Sequence, residues 1–129
     1  MKYFTHYTEE AQTKLFNRLG AFFAFSNEQF EEQFKAGTKY VRLGGGMFCP
    51  KQHVNELISE LDNIQEAAIK QDIQENGKEG IIRRELSNYE CVITMDVGDA
   101  VDAVAKYGYT EEDVLAVWPY YFKEACEYI

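Results

Sequence analysis

The sequence predicts an α+β protein, a mostly helical single globular domain with a small β-sheet element, over residues 1–129. Its length falls within the range of about 100–150 residues that is typical of one domain. Hydrophobic residues make up 46% of the chain, enough to form a core, and a charged fraction of 27% with only two prolines argues against disorder. Most of the chain carries apolar residues at helical spacing, which predicts helix as the main structure.

The N-terminal third of the chain predicts two helices with a strand between them. Thr8 is in position to cap the first helix, and Gly20 marks its end. The short aromatic run AFFAF at residues 21–25 favours a buried strand. Ser26 begins the second helix, because Ser26 and Gln29 have the spacing at which each side chain can bond the backbone N–H of the other residue.

A glycine run follows a second predicted strand at residues 38–43, whose side chains alternate between two faces. We interpret LGGGMFCP (43–50) as a strand-to-helix junction that needs glycine for its backbone geometry. Pro50 suits the first turn of a long helix over residues 50–76, which ends at Asn76–Gly77.

Three more helical stretches are predicted in the C-terminal half. Residues 79–90 have a helical pattern, whereas residues 91–96 (CVITMD) fit either a strand or a helix. Asp96 or Asp99 caps the next helix, and Thr110 caps the last one.

The net charge of −9 is unevenly distributed along the chain. Residues 1–84 hold 11 Lys or Arg against 12 Asp or Glu, whereas residues 85–129 hold 2 against 10. An acidic half repels a phosphate backbone, so we expect no direct nucleic-acid binding. It suits a protein partner with a basic surface, divalent cations or solubility alone, and we take the protein partner as the hypothesis. The candidate partner-binding residues are therefore Asp99, Asp102, Glu111, Glu112 and Asp113.

Several classes of protein are disfavoured by the residues present. No apolar run approaches the ~18–20 residues of a membrane span, and three scattered cysteines favour reduced thiols in a cytoplasm. Two histidines and no EF-hand loop predict no metal site, and we expect no cofactor. Cys49 and His53 could pair as nucleophile and base, but without an oxyanion-hole signature Cys49 is interpreted as a buried hydrophobic residue, so no catalytic residue is assigned.

The glycine run also supports a ligand-binding alternative. Gly44, Gly45 and Gly46 match neither a Walker loop nor a GxGxxG fingerprint. They could still hold an anion in a pocket where this loop meets the segment Asn88–Glu90. The polar groups of such a pocket are those of Arg42, Asn88, Glu90 and Asp96.

Four segments resemble a family of small uncharacterised proteins of bacteriophages and related mobile elements: FFAFSNEQFEEQF (22–34), LGGGMF (43–48), RELSNYECVITMD (84–96) and DAVAKYGYTEEDV (102–114). The resemblance implies a phage accessory protein that acts in the cytoplasm of an infected bacterial cell. Where that family pattern has histidine between Asn and Glu, this chain has Tyr89, which argues against a catalytic base there.

Three functional hypotheses follow from these observations. The first is a non-enzymatic accessory protein that binds a host or phage protein through its acidic C-terminal half and inhibits a host or defence factor. The second is a small-molecule or nucleotide-binding protein, or a small enzyme, with its pocket at residues 44–46 and 88–90. The third is a homodimer formed through the last helix.

Overall fold

The computed structural model describes residues 2–126 and confirms a mostly helical α+β fold with one small antiparallel sheet. The elements are α1 Thr5–Leu19, β1 Phe22–Phe23, α2 Asn27–Gln33, β2 Tyr40–Leu43, β3 Met47–Pro50, α3 Val54–Asn88, α4 Cys91–Thr94, α5 Gly98–Val104 and α6 Glu111–Cys126. Short 3₁₀ turns lie at Gly44–Gly46, Lys51–His53 and Ala105–Tyr107. Within the described part of the chain, no helix is both long and apolar enough to cross a bilayer.

The chain divides into two compact units. Residues 5–67 form the first, here called the sheet unit, and residues 2–4 with 68–126 form the second, here called the helical unit. The single domain predicted for residues 1–129 stays a prediction, and it requires that both units unfold in one cooperative transition.

The sheet unit is built on three antiparallel strands in the order β1-β3-β2. The middle strand, β3, was not predicted, because MFCP was interpreted as the approach to a helix. Gly44–Gly46 instead turn the chain between two paired strands, with Leu43 opposite Met47 and Val41 opposite Cys49. The strand-to-helix interpretation of LGGGMFCP is therefore wrong, and α3 begins only at Val54.

The hydrophobic core of the sheet unit joins the first helix, the sheet and the start of α3. Its buried members are Leu15, Leu19, Ala21, Cys49 and Leu57. Cys49 is fully buried in β3 rather than near a helix start, and burial raises the pKa of its thiol. The interpretation of Cys49 as a buried hydrophobic residue is confirmed.

Of the two helix caps predicted in the N-terminal third, one is confirmed and one is wrong. Ser26 caps α2 as predicted, since its hydroxyl accepts from the Gln29 backbone N–H at 3.2 Å. The Gln29 side chain accepts from the N–H of Phe25 rather than that of Ser26. Thr8 is not a cap, because α1 starts at Thr5 and the buried Thr8 hydroxyl donates to the Thr5 carbonyl.

The long helix α3 is interrupted at Gly77, where the predicted helix was expected to end. Gly77 has φ 70° and ψ 171°, a non-helical conformation that favours glycine. Arg84 nevertheless pairs with Asp72, twelve residues earlier, at 2.8 Å. In a straight helix these residues would be separated by about 18 Å along the axis. The chain therefore changes direction sharply at Gly77.

The helical unit packs around an aliphatic core on the second arm of α3, on α5 and on α6. Fully buried members are Ile81, Leu86, Cys91, Val104 and Val114. The segment left open between strand and helix, residues 91–96, contains the single helical turn α4. Thr110 caps α6 as predicted.

Candidate functional site

An exposed apolar loop is the most distinctive surface feature of the helical unit. It comprises residues 89–96, here called the 89–96 loop. Ile93 is 77% exposed, Met95 is 65% exposed and Tyr89 is 41% exposed. Single exposed apolar side chains are normal, whereas these three lie within eight residues of one another in the chain.

The backbone of this loop is held in an unfavourable conformation at both ends of α4. Glu90 has φ 52° and Met95 has φ 59°, and no other non-glycine residue in the described range 2–126 has positive φ. A left-handed conformation costs a side-chain-bearing residue about 1–2 kcal/mol. The loop is anchored by the fully buried Cys91, whose carbonyl accepts from the Met95 N–H at 2.8 Å. Such strain is concentrated at functional sites in proteins.

Carboxylates precede and follow the apolar side chains of the loop along the chain. The Cys91 thiol has a raised pKa because it is buried, and the charges of Asp96 and Asp99 raise it further, which places both carboxylates near α4. Asp96 also accepts from the Gly98 N–H at 2.8 Å and so fixes the start of α5. Glu90, Asp99 and Asp102 are exposed and form no ion pair with any described residue.

The predicted partner-binding residues on α6 separate into two groups. Glu111 and Glu112 are exposed and have no ion-pair partner between residues 2 and 126. Asp113 accepts from the Thr110 backbone N–H at 2.8 Å, and Thr110 caps the Asp113 N–H in return. Its carboxylate also pairs with Lys78, and these hydrogen bonds, first that from Lys78, lower its pKa. Asp113 thus has a structural role.

The predicted pocket draws its residues from both units. Asn88, Glu90 and Asp96 belong to the helical unit, whereas the glycine loop and Arg42 belong to the sheet unit. The side-chain amide of Asn88 donates to Glu85 at 3.4 Å. A shared pocket of the two segments stays a prediction.

The three glycines of the loop have different structural roles. Gly44 has an ordinary φ and open space around it, whereas Gly45, with φ 73°, needs glycine for its backbone alone. Gly46 has φ 80°, and a Cβ there would lie 2.6 Å from the ring of Phe25. Its carbonyl accepts from the Ala24 N–H at 2.9 Å, so β1 and the loop are joined at this position.

A groove of about 530 Å³ lies beside the glycine loop within the sheet unit. It is lined by Ala24, Phe25, Ser26, Asn27, Phe30, Arg42, Gly45, Gly46 and Phe48. Two segments singled out in the sequence, FAFSN and GGG, therefore meet in one concave surface. Its volume is within the usual range for small-molecule sites.

A buried ion network in the helical unit was not predicted. Arg84 donates two hydrogen bonds to Asp72, at 2.8 and 3.0 Å, and a third to Glu85 at 2.9 Å. The Tyr107 hydroxyl donates to the Asp72 carboxylate. Asp72 is fully buried. The one signal in the sequence is its position four residues after the buried Ala68, on the apolar face of α3.

The groups of the ion network set one another's pKa values through hydrogen bonds. Burial alone would raise the pKa of Asp72, but hydrogen bonds from Arg84, Tyr107 and Asn76 lower it below its ordinary value. Burial and the hydrogen bond to Asp72 raise the pKa of Tyr107. Across residues 2–126 every buried side-chain N or O atom has a hydrogen-bond partner. The network has no free group for a ligand, which indicates a structural role. Over the same residues, no three His, Cys, Asp or Glu side chains are grouped to hold a metal ion.

Sequence comparison places the chain in a family. The model of DUF7659, a family of unknown function, matches residues 4–124. The chain belongs to DUF7659. No curated protein and no solved structure matches it. The function of this DUF7659 member is therefore argued from its own surfaces.

Proposed function

We propose that this DUF7659 member is a non-enzymatic accessory protein that binds a basic protein partner through the acidic face of its helical unit. The observation that carries the proposal is the 89–96 loop, where Ile93 and Met95 are exposed and the nearby Glu90 and Asp99 have no ion-pair partner among residues 2–126.

Apolar and acidic groups have complementary effects in such a surface. Burying an aliphatic side chain of this size in a partner stabilises a complex by about 1.5–3 kcal/mol. Ile93 and Met95 therefore supply the anchor of the contact. The carboxylates of Glu90, Asp99 and Asp102 speed association with a basic partner and select against an acidic one.

The cysteines support a binding role over covalent catalysis. Cys49 and Cys91 are fully buried, and burial raises the pKa of both thiols. A thiolate nucleophile needs the opposite environment, exposed and electropositive.

The resemblance of four segments to phage and mobile-element proteins suggests the setting. In this proposal the protein acts in the cytoplasm of an infected bacterium, and its partner is a host or phage protein, such as a defence factor that it inhibits. A partner surface rich in Lys and Arg would be complementary to the exposed carboxylates.

The test is an affinity capture from bacterial lysate that compares the wild-type protein with one double variant and one control variant. We expect a partner captured by the wild-type protein to be lost with Ile93→Ser and Met95→Ser combined, through an affinity decrease of at least tenfold. Leu115→Ser is the matched control, because Leu115 is also exposed in the helical unit but lies on α6. High salt should weaken the capture, because exposed charges are screened.

Equal capture by the loop variant and the wild type would contradict the proposal. If Leu115→Ser abolishes capture and the loop variant does not, the contact is instead on α6. Light scattering over a range of concentrations separates both results from homodimer formation through that helix.

A further inference from the structure

The sheet unit has a row of side chains on one face that ends in Arg42, a cation with no ion-pair partner among residues 2–126. Phe22 of β1 lies opposite Phe48 of β3, and Phe48 lies opposite Arg42 of β2. Directly paired residues of antiparallel strands project from the same face of a sheet. The ring of Phe30 on α2 packs against Phe48 at a centroid distance of 4.9 Å, so the aromatic part of the row is covered. Arg42 remains exposed and forms no ion pair with any residue that the structure describes.

A second aromatic side chain borders the groove on the other side. Phe25 is 74% exposed, although it is a large apolar residue. Its ring lies over Gly46, in the space that a Cβ at that position would occupy. The backbone N–H of Phe25 is bound by Gln29, so the position of the residue is fixed. The ring is nearly parallel to that of Phe23, at a centroid distance of 6.4 Å, and stays largely exposed beside the glycine loop.

Within the described part of the chain, no Asp or Glu lines the groove. In a chain of net charge −9, residues 33–55 contain Lys35, Lys39, Arg42 and Lys51 and no acid at all.

We propose that this groove binds a small planar anion, with an aromatic ring system and one phosphate or carboxylate group. The ring stacks on Phe25, and the anion pairs with the Arg42 guanidinium. Nucleoside monophosphates and aromatic carboxylates share this chemistry. The groove belongs to the sheet unit, and the proposal does not depend on the carboxylates of the helical unit.

The test is an NMR titration of the full ¹⁵N-labelled chain. Adenosine 5′-monophosphate and indole-3-acetate are the two probes, and we expect at least one to give saturable shifts at residues 24–27 and 42–48 with a Kd of about 0.1–1 mM. Adenosine, which lacks the anion, and inorganic phosphate, which lacks the ring, should each bind at least tenfold more weakly. Comparison of the two probes distinguishes a phosphate site from a carboxylate site.

Two substitutions separate the ring contact from the charge contact. Arg42→Gln should weaken binding of the anionic probe about tenfold and leave binding of adenosine unchanged, whereas Phe25→Ala should weaken binding of both. Lys39→Gln is the control, since Lys39 is equally basic and exposed but does not line the groove. Both groove residues are exposed, so unchanged amide shifts elsewhere will show that the fold is kept.

Absence of saturable shifts with both probes overturns the proposal, as does binding that neither Arg42→Gln nor Phe25→Ala reduces. Neither result bears on capture of a protein by the 89–96 loop. Failure of this proposal is therefore distinguishable from failure of the proposed function.

Discussion

The two units of this protein use charge in opposite ways. The helical unit buries its strongest ion pair, Arg84 with Asp72, and exposes carboxylates around the apolar 89–96 loop. The sheet unit keeps its ion pairs on the surface, as between Arg18 and Glu56, and leaves Arg42 without one within the described chain. The net charge of −9 is thus the sum over two units that distribute their charges differently.

The comparison also shows two ways to hold a small unit together. The sheet unit adds ring contacts to its aliphatic core, with five pairs among Phe22, Phe30, Tyr40 and Phe48 at centroid distances of 4.9 to 5.8 Å. The helical unit combines an aliphatic core with a polar network that joins the two arms of α3. Stability of the helical unit should therefore depend on charge much more than stability of the sheet unit.

The largest expected effect is that of replacing one of two neighbouring arginines. Arg84→Met leaves the carboxylate of Asp72 buried without its cation, and we expect a loss of about 3–5 kcal/mol in the free energy of unfolding. Arg83→Met removes a partly exposed pair with Glu124 and should cost no more than about 1 kcal/mol. Urea unfolding of both variants measures the difference.

A double variant serves as the control for this pair. Asp72→Leu combined with Arg84→Met removes the fully buried carboxylate together with its cation and should recover part of the lost stability. The recovery is incomplete, because the buried Glu85 carboxylate also pairs with Arg84 and loses that cation. Equal losses for Arg83→Met and Arg84→Met would show that the buried network is not a main support of the helical unit.

Acid should destabilise the protein through the same network. The pKa of Asp72 is lowered in the folded state, so its contribution is complete above the unfolded pKa of about 3.9 and is lost as the pH falls through the folded value. We expect the free energy of unfolding to decrease below about pH 4.

The variant Asp72→Asn tests whether Asp72 causes this loss of stability in acid. It should flatten the decrease more than Asp113→Asn does, although the pKa of Asp113 is also lowered, because Asp113 pairs with Lys78 near the surface. If the free energy of unfolding of Asp72→Asn decreases with falling pH as steeply as that of the wild type, other groups cause the acid sensitivity.

The smallest effects come from the glycine loop of the sheet unit. Gly46→Ala should cost about 2–3 kcal/mol, since it combines positive φ with a clash against Phe25. Gly45→Ala, with positive φ but open space, should cost about 1–2 kcal/mol. Gly44→Ala should be neutral or stabilise by up to about 1 kcal/mol. Thermal unfolding of the three variants gives the order, and a different order would contradict the assigned roles.

The sequence was sufficient to predict the fold class and most boundaries where local chemistry decides them. Ser26, Thr110 and the break at Gly77 are positions of this kind, because a cap or a glycine acts within one turn. The prediction that Thr8 caps α1 was wrong, because a threonine inside a helix can bond a preceding carbonyl as readily as it can cap a helix.

Long-range features were not accessible from local patterns. Strand β3 has only four residues, one of them proline, and is defined by pairing with β1 and β2. The pairing of Asp72 with Arg84 depends on the chain direction after Gly77, which no periodicity encodes. Of the candidate sites, the glycine loop and the acids near α4 were predicted, but the exposure of Ile93 and Met95 was not, because a helical pattern there suggests burial.

The most direct test of the central claim is hydrogen exchange on the protein with and without its captured partner. The account predicts that the partner protects amides in residues 89–102 and leaves those of residues 24–48 unchanged. Protection confined to residues 24–48, with none in the 89–96 loop, would contradict a partner-binding role for the acidic face.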